Sequence, residues 1–193
     1  MAIVKHQDTH LKSSRSIRPY FKNLWNFVKD YDYKLIGKPY GCQPMLEVWS
    51  EDKGLSEYHD LIENYNRPGI EHEEIPFIDY ADYTLGNALG IAQGIAIVHP
   101  EKKIFVFISD AQMNMGVVQE AITSIGAMNL RNILLCVDYN YYGSRGKLKI
   151  IPEIEYTGWK TSIIPVINGT QMLGEIDNYL PNMWIYHQPF LEV

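Results

Sequence analysis

The chain has 193 residues, 46% of them hydrophobic and 21% charged, an ordinary globular balance and enough for one domain with a full core. A formal net charge of −6 speaks against nucleic acid or an anionic membrane as partner. Two cysteines exclude a disulfide framework, no apolar run reaches transmembrane length, and the start MAIVKHQDTH lacks a signal-peptide core, so a cytoplasmic protein is expected.

In chain order, residues 1–12 are polar and read as a flexible terminus to a single domain over 1–193. Ile17, Phe21, Leu24, Trp25 and Val28 then fall at helical spacing. From Lys34 to Asp52 the pattern breaks around Gly37, Pro39, Gly41 and Pro44, which predicts loop with a short extended piece. Leu55, Tyr58, Leu61 and Ile62 mark a short helix that ends at the turn Asn66-Arg67-Pro68-Gly69. The acidic, aromatic stretch from Gly69 to Tyr83 has no period and contains His72; long irregular segments of this kind tend to be functional or to form interfaces. Its acids Glu71, Glu73 and Glu74 read as a solvated loop. The 14 tyrosines suit a subunit interface or a wet surface rim.

The next segment, TLGNALGIAQGIAIV, predicts a helix capped by Thr84 and stopped by His99-Pro100. Gly86, Ala88, Gly90, Ala92, Gly94 and Ala96 recur along it. Glycine costs about 1 kcal/mol against alanine inside a helix, so close approach of a helix or ligand is the expected compensation. Ile104–Ser109 is an apolar strand, Gly116–Met128 a helix, and Asn132–Val137 a second apolar strand. Such continuous apolar runs fit parallel strands covered on both faces, joined by a right-handed crossover. Beyond Gly146, a strand over Ser162–Val166 holding Pro165, a helix over Gln171–Tyr179 capped by Thr170, and a closing strand over Met183–Tyr186 are expected.

Two polar residues stand at the ends of the apolar strands. A carboxylate such as Asp110 commonly does no more than cap the helix that follows. Asn140, however, stands 30 positions later, directly after the next strand. Adjacent parallel strands bring their carboxyl ends together, so Asp110 and Asn140 can face one ion. Magnesium takes about six oxygens, few of them from protein. One carboxylate, one amide oxygen and the backbone carbonyl of Tyr142 make such a set. The backbone NH groups of Ala111 and Gln112 would serve phosphate oxygens.

On these residues the stretch ISDAQMNMGVVQEAITSIGAMNLRNILLCVDYN resembles the thiamine-diphosphate motif of the transketolase family. Asp110, Gly116, Glu120 and Asn140 match the family's aspartate, glycine, glutamate and asparagine, at the transketolase interval. TLGNALGIAQGIAI resembles the family's preceding segment at Leu85, Gly86, Ala92, Gly94 and Ala96. Thr157-Gly158-Trp159 and Val166-Ile167-Asn168-Gly169 resemble its later GW and V-D-G run. The resemblance covers about residues 69–187 and is similar to the N-terminal, diphosphate-binding half of split transketolases. It implies a three-layer α/β sandwich with a mainly parallel sheet. It also implies thiamine diphosphate and Mg2+ as cofactors, held through Asp110, Asn140 and Tyr142, with Leu85, Gly86, Ala111, Gln112 and Glu120 also at the cofactor. His72 lies near the place of a family histidine that contacts cofactor and substrate, and is the catalytic candidate in this chain.

The partner so implied is a separate pyrimidine-domain subunit supplying the activating glutamate, in a dimer or heterotetramer that transfers a two-carbon ketol unit between sugars or sugar phosphates. Glu120 then resembles an interface glutamate. Ser109 and Ala111 replace two family glycines, which requires backbone angles open to L-residues. Two other readings stay open: a 2-oxo acid dehydrogenase-like decarboxylase subunit, motivated by Asn114 and Tyr142-Gly143, and a reduced binding or assembly module, motivated by the lost glycines.

Overall fold

The computed structural model describes residues 17, 21–37, 41–54, 77–81, 84–143, 146–165 and 174–187. The expected helix over Leu55–Tyr65, His72 with its acidic neighbours, Thr170 and the Val166–Gly169 run lie outside these residues, as does the terminus 1–12.

Strand β1 spans Tyr33–Ile36, β2 Tyr80–Ala81, β3 Ile104–Ser109, β4 Ile133–Tyr139, β7 Lys160–Pro165 and β8 Asn182–His187. They form one six-stranded sheet in the order β2-β1-β3-β4-β8-β7, with every pairing parallel. A two-residue antiparallel ribbon, β5 (Tyr142–Gly143) with β6 (Gly146–Lys147), stands apart from it. The helices are α1 (21–28), α2 (Cys42–Lys53), α3 (Asn87–Val98), α4 (Asp110–Met113) and α5 (Gly116–Met128).

The strands β3 and β4 are buried along their whole length, which accounts for their unbroken apolar sequences. Their side chains alternate between two cores. Phe105, Phe107, Leu134 and Cys136 join Phe21, Leu24 and Trp25 of α1 and Met45 and Leu46 of α2. Ile104, Val106, Ile108, Leu135 and Val137 join Ala88, Leu89 and Ala92 of α3 and Val118, Ile122 and Ile125 of α5. The result is the expected three-layer α/β sandwich.

Four expectations are corrected. The loop predicted over Lys34–Asp52 contains β1 and the 12-residue helix α2. Pro44 is the third residue of α2, where no intrahelical NH is needed, so proline is tolerated there. Gly41 and Gly54 bound the helix rather than break it, Gly54 with φ of +67°. The helix expected over Gln171–Tyr179 is not formed in its described part, 174–179. There Asn182 Nδ2 donates to the carbonyls of Asp177 and Leu180, its Oδ1 accepts from Asp177 N, and Trp184 Nε1 donates to Glu175 O. Tertiary bonds to β8 thus replace the local helical ladder.

The N-cap of α3 is Gly86, at φ of +99°, not Thr84. Along α3 the small residues divide into two sets. Ala88, Ala92 and Ala96 are buried, whereas a Cβ at Gly90 or Gly94 would meet nothing within 4 Å. Within the helix, the close approach expected of Gly90 and Gly94 is therefore made by the alanines.

Pro165 ends β7, an edge strand, where a missing NH is harmless. Gly126 of α5 lies against the turn of Thr157 and Gly158, and Trp159 Nε1 donates to Ile122 O at 2.8 Å. A Cβ on Gly126 would come within 2.4 Å of the Thr157 carbonyl, so glycine is required for this approach. The Thr157–Trp159 motif is thereby fastened to α5.

Candidate functional site

In this sheet β1 is flanked by β2 on one side and by β3 on the other, so the chain changes direction across the sheet between β1 and β3. The crevice at the carboxyl ends of such strands is where open α/β sheets bind ligands. One polar bridge spans it, and a second stands beside it. Gln112 Nε2 donates to Gly37 O, just past β1, at 2.6 Å, while Gln112 Oε1 accepts from Ser109 N at the end of β3. The second bridge joins β3 to β4 through Asp110.

Asp110 is fully buried as the first residue of α4, one position after β3. Its Oδ1 accepts from Ala111 N at 2.7 Å. Its Oδ2 accepts from Asn140 N at 2.9 Å and from Tyr141 N at 2.5 Å. Tyr141 has φ of +64°, an uncommon conformation for a side chain of its size. That left-handed turn lets two successive NH groups converge on one carboxylate oxygen. Backbone strain of this kind persists where surrounding contacts over-determine it, as the Asp110 bonds do here.

Asn140 is 2% exposed and follows β4. Its Nδ2 donates to Asp138 Oδ2 at 2.9 Å, and its Oδ1 accepts from Tyr142 N at 2.9 Å. The structure thus brings Asp110, Asn140 and Tyr142 into one bonded turn. Among the described residues no group of three or more His, Cys, Asp or Glu gathers at one point. The oxygen donors here are one carboxylate, one amide and backbone carbonyls. Such a set fits a hard cation that takes few protein ligands and completes its shell from phosphate and water.

Ser109 and Ala111 are accommodated without strain. Ser109 has an extended backbone, and the described non-glycine residues of positive φ are Asn129 and Tyr141 alone. Ala111 keeps its NH, which here faces the Asp110 carboxylate. Its methyl lies 3.4 Å from where a Cβ on Gly143 would stand, an ordinary contact.

A strap over residues 148–156 covers the start of α5, and sequence reasoning did not anticipate it. Leu148 N donates to Tyr141 O, Asn114 Nδ2 to Ile150 O, and Tyr139 OH to Pro152 O. Gln119 Nε2 donates to Tyr156 OH and to Met113 O. Burial first, then the nearby Tyr141 and Asp110, pushes the Tyr139 phenol up to about 12, so it remains a protonated donor. Asn114 is thereby occupied in holding the strap.

Other predicted residues stand differently. Gly86 is buried at the head of α3, and a Cβ on it would come within 2.8 Å of Val117 Cγ1. Leu85 beside it is 43% exposed. Glu120 is exposed on α5, beside Thr123 and Ala127, rather than among the residues that bond Asp110. Sequence reasoning missed Asp138, which is fully buried within β4. Its one signal was a carboxylate inside an otherwise apolar strand.

Comparison with known proteins adds an independent line. Residues 73–162 match the family model described as thiamine pyrophosphate enzyme, C-terminal TPP binding domain. The chain is 29% identical over 109 residues to a 1-deoxy-D-xylulose-5-phosphate synthase of Fusobacterium nucleatum, covering 52% of this chain and 18% of that protein. It is 25% identical over 130 residues to the human transketolase-like protein 2, covering 61% and 20%. The chain therefore spans about a fifth of the length of these relatives. Among solved structures, a transketolase from Campylobacter jejuni superposes with a TM-score of 0.65 at 15% identity, over 96% of this chain and 37% of that one. A transketolase from Leishmania mexicana gives 0.59 at 17%, over 80% and 28%. These likenesses show a shared fold.

Proposed function

From the match of residues 73–162 to a family model of thiamine pyrophosphate enzymes, we propose a magnesium- and thiamine-diphosphate-binding subunit of a transketolase-like transferase. The observation that carries the reading is the buried Asp110 carboxylate, gripped by NH groups that follow β3 and β4 and joined through that turn to Asn140. Asp110, the Asn140 amide oxygen and the Tyr142 carbonyl would hold the ion, and the ion would hold the diphosphate. The cofactor, when bound, supplies the carbanion chemistry that moves a two-carbon ketol unit between sugars. The chain's own residues bind and orient it. The strap held by Tyr139, Asn114 and Gln119 keeps the crevice rim in place.

The activating half belongs to a second subunit in this reading. Leu85, Ile91 and Val117 are exposed, as is Glu120, and exposed apolar surface beside a site suits a partner. The family model carries the words C-terminal, whereas the motif order resembles the N-terminal half of split transketolases; an N-terminal subunit is the assignment proposed. Both cysteines are free and buried, in keeping with a reducing compartment such as the cytoplasm. Among the described residues no helix is long and apolar enough to cross a membrane.

Calorimetric titration with thiamine diphosphate, with and without magnesium, tests the reading. Magnesium-dependent binding is expected, by the chain alone or with a pyrimidine-domain protein, and Asp110→Ala should remove it. No binding under either condition would sink the enzymatic reading. Binding to Asp110→Ala with unchanged magnesium dependence would show the site to be misassigned.

A further inference from the structure

We infer that Asp138 is a positioning residue, which sets the side-chain amide of Asn140 so that its oxygen, not its NH2 group, is offered at the Asp110 turn. The inference rests on the metal-binding role proposed for Asn140. An asparagine amide can be turned end for end with little change of shape, and only the oxygen end can ligate a cation. At Asn140 two neighbours of opposite kind fix the choice. Asp138 Oδ2 is an acceptor and takes Asn140 Nδ2 at 2.9 Å. Tyr142 N is a donor and gives to Asn140 Oδ1 at 2.9 Å. Reversing the amide would set oxygen against carboxylate and NH2 against NH.

The placement of Asp138 follows from the strand. It pairs in register with Ser109, the residue before Asp110, so both strands present their acidic residues to the same end of the sheet. Asp138 and Asn140 are two apart and share one side of the extended chain. Asp138 is fully buried in a strand whose other residues are apolar up to Tyr139. A carboxyl group buried in that setting needs hydrogen-bonded partners, and the Asn140 amide is one of them. Outer residues that orient a ligand commonly change metal affinity by about 10–100-fold when removed.

The arrangement makes a specific demand. Asn140→Asp adds a second negative oxygen ligand, which alone would favour magnesium. It also removes the NH2 donor and sets acceptor against acceptor at the Asp138 contact. The pair Asp138→Asn with Asn140→Asp restores one donor and one acceptor with the polarity exchanged.

The experiment uses the full chain, with its partner subunit if binding requires it. Magnesium-dependent thiamine diphosphate binding is followed by calorimetry, and the Asn140 side-chain NH2 signal by 15N-edited NMR without cofactor. Asp138→Ala should weaken magnesium affinity about 10–100-fold, with cofactor binding regained at high magnesium. The protected Asn140 NH2 pair should move toward solvent-exposed values. Asn140→Asp should bind less tightly than the double variant. Wild-type magnesium dependence together with an unmoved Asn140 signal in Asp138→Ala would overturn the inference. So would a double variant no better than Asn140→Asp, which serves also if Asp138→Ala does not fold. Absence of binding by the wild type would instead overturn the proposed function, and the NMR signal would then decide the positioning role.

Discussion

The two ends of the β1–β3–β4 sheet each carry an aspartate that accepts NH groups from a neighbouring strand or its flank, and the two are built differently. At the amino end, exposed Asp32 takes Lys103 N on Oδ2 at 2.8 Å and Lys102 Nζ on Oδ1 at 2.9 Å. At the carboxyl end, fully buried Asp110 takes the backbone NH groups of Ala111, Asn140 and Tyr141. The Asp32 pair can exchange its partners for water at little loss. Asp110 has no such alternative, because a buried NH without its acceptor is destabilising. The amino end is a surface clasp. The carboxyl end is a shaped oxygen site that holds a left-handed tyrosine to keep its form.

The largest test of this contrast is Asp110→Ala. It should abolish magnesium-dependent cofactor binding and, by stranding buried NH groups, destabilise the chain by about 2–3 kcal/mol in urea unfolding. Equal stability losses for Asp110→Ala and Asp32→Ala would erase the distinction between the two ends.

Much of this site was legible in the sequence, and the limits are physical. Strand β3 and helix α5 lie within the predicted bounds because burial on both faces demands unbroken apolar runs, and because the 3.6-residue pattern of α5 is strong. Asp110 and Asn140 stood out because their spacing is a property of the strand–helix–strand unit itself. Asp138 did not, since a residue inside a strand gives no local sign of the partner it meets. Gln112 was expected to offer its backbone NH; that its side chain pins Gly37, 75 residues away, is a purely tertiary fact. The helix α2 was hidden by Gly41 and Pro44, which mark a break inside a helix but fit well at its start. The segment 174–179 shows the opposite error, a helical pattern overridden by bonds to Asn182 and Trp184.

Glycines sharpen the comparison at a smaller scale. Gly86 heads α3 beside the start of α5, and Gly54 closes α2; both have positive φ. A Cβ on Gly86 would also meet Val117 Cγ1 at 2.8 Å and Met115 Sδ at 3.4 Å, whereas one on Gly54 would meet nothing within 4 Å. Gly86→Ala should therefore combine left-handed strain with overpacking, about 2–3 kcal/mol in all. Gly54→Ala should show the strain alone, about 1 kcal/mol. Thermal unfolding of the two variants separates them, and equal losses would mean that crowding at Gly86 is relieved by a small shift of α5. Gly94→Ala, on the open face of α3, should instead stabilise the isolated chain by about 0.5–1 kcal/mol. If that face receives the partner closely, the same substitution should weaken assembly, measured by co-purification.

The smallest effect belongs to the clasp. The Lys103 backbone NH, and after it the Lys102 ammonium, hold the Asp32 carboxyl below its ordinary range. The native chain therefore binds fewer protons at Asp32 than the unfolded chain does. Its contribution is complete above the unfolded pKa and is lost as pH falls through the lower folded value. Urea midpoints of wild type and Asp32→Asn should then differ slightly at pH 7 and draw together below about pH 4. High salt should narrow the gap at pH 7, because Lys102 and Asp32 are both open to solvent. A gap that ignored both pH and salt would mean that Asp32 works as a turn-forming side chain, with its charge playing no part, and the clasp would then resemble the buried oxygen site more than the exposed ion pair described above.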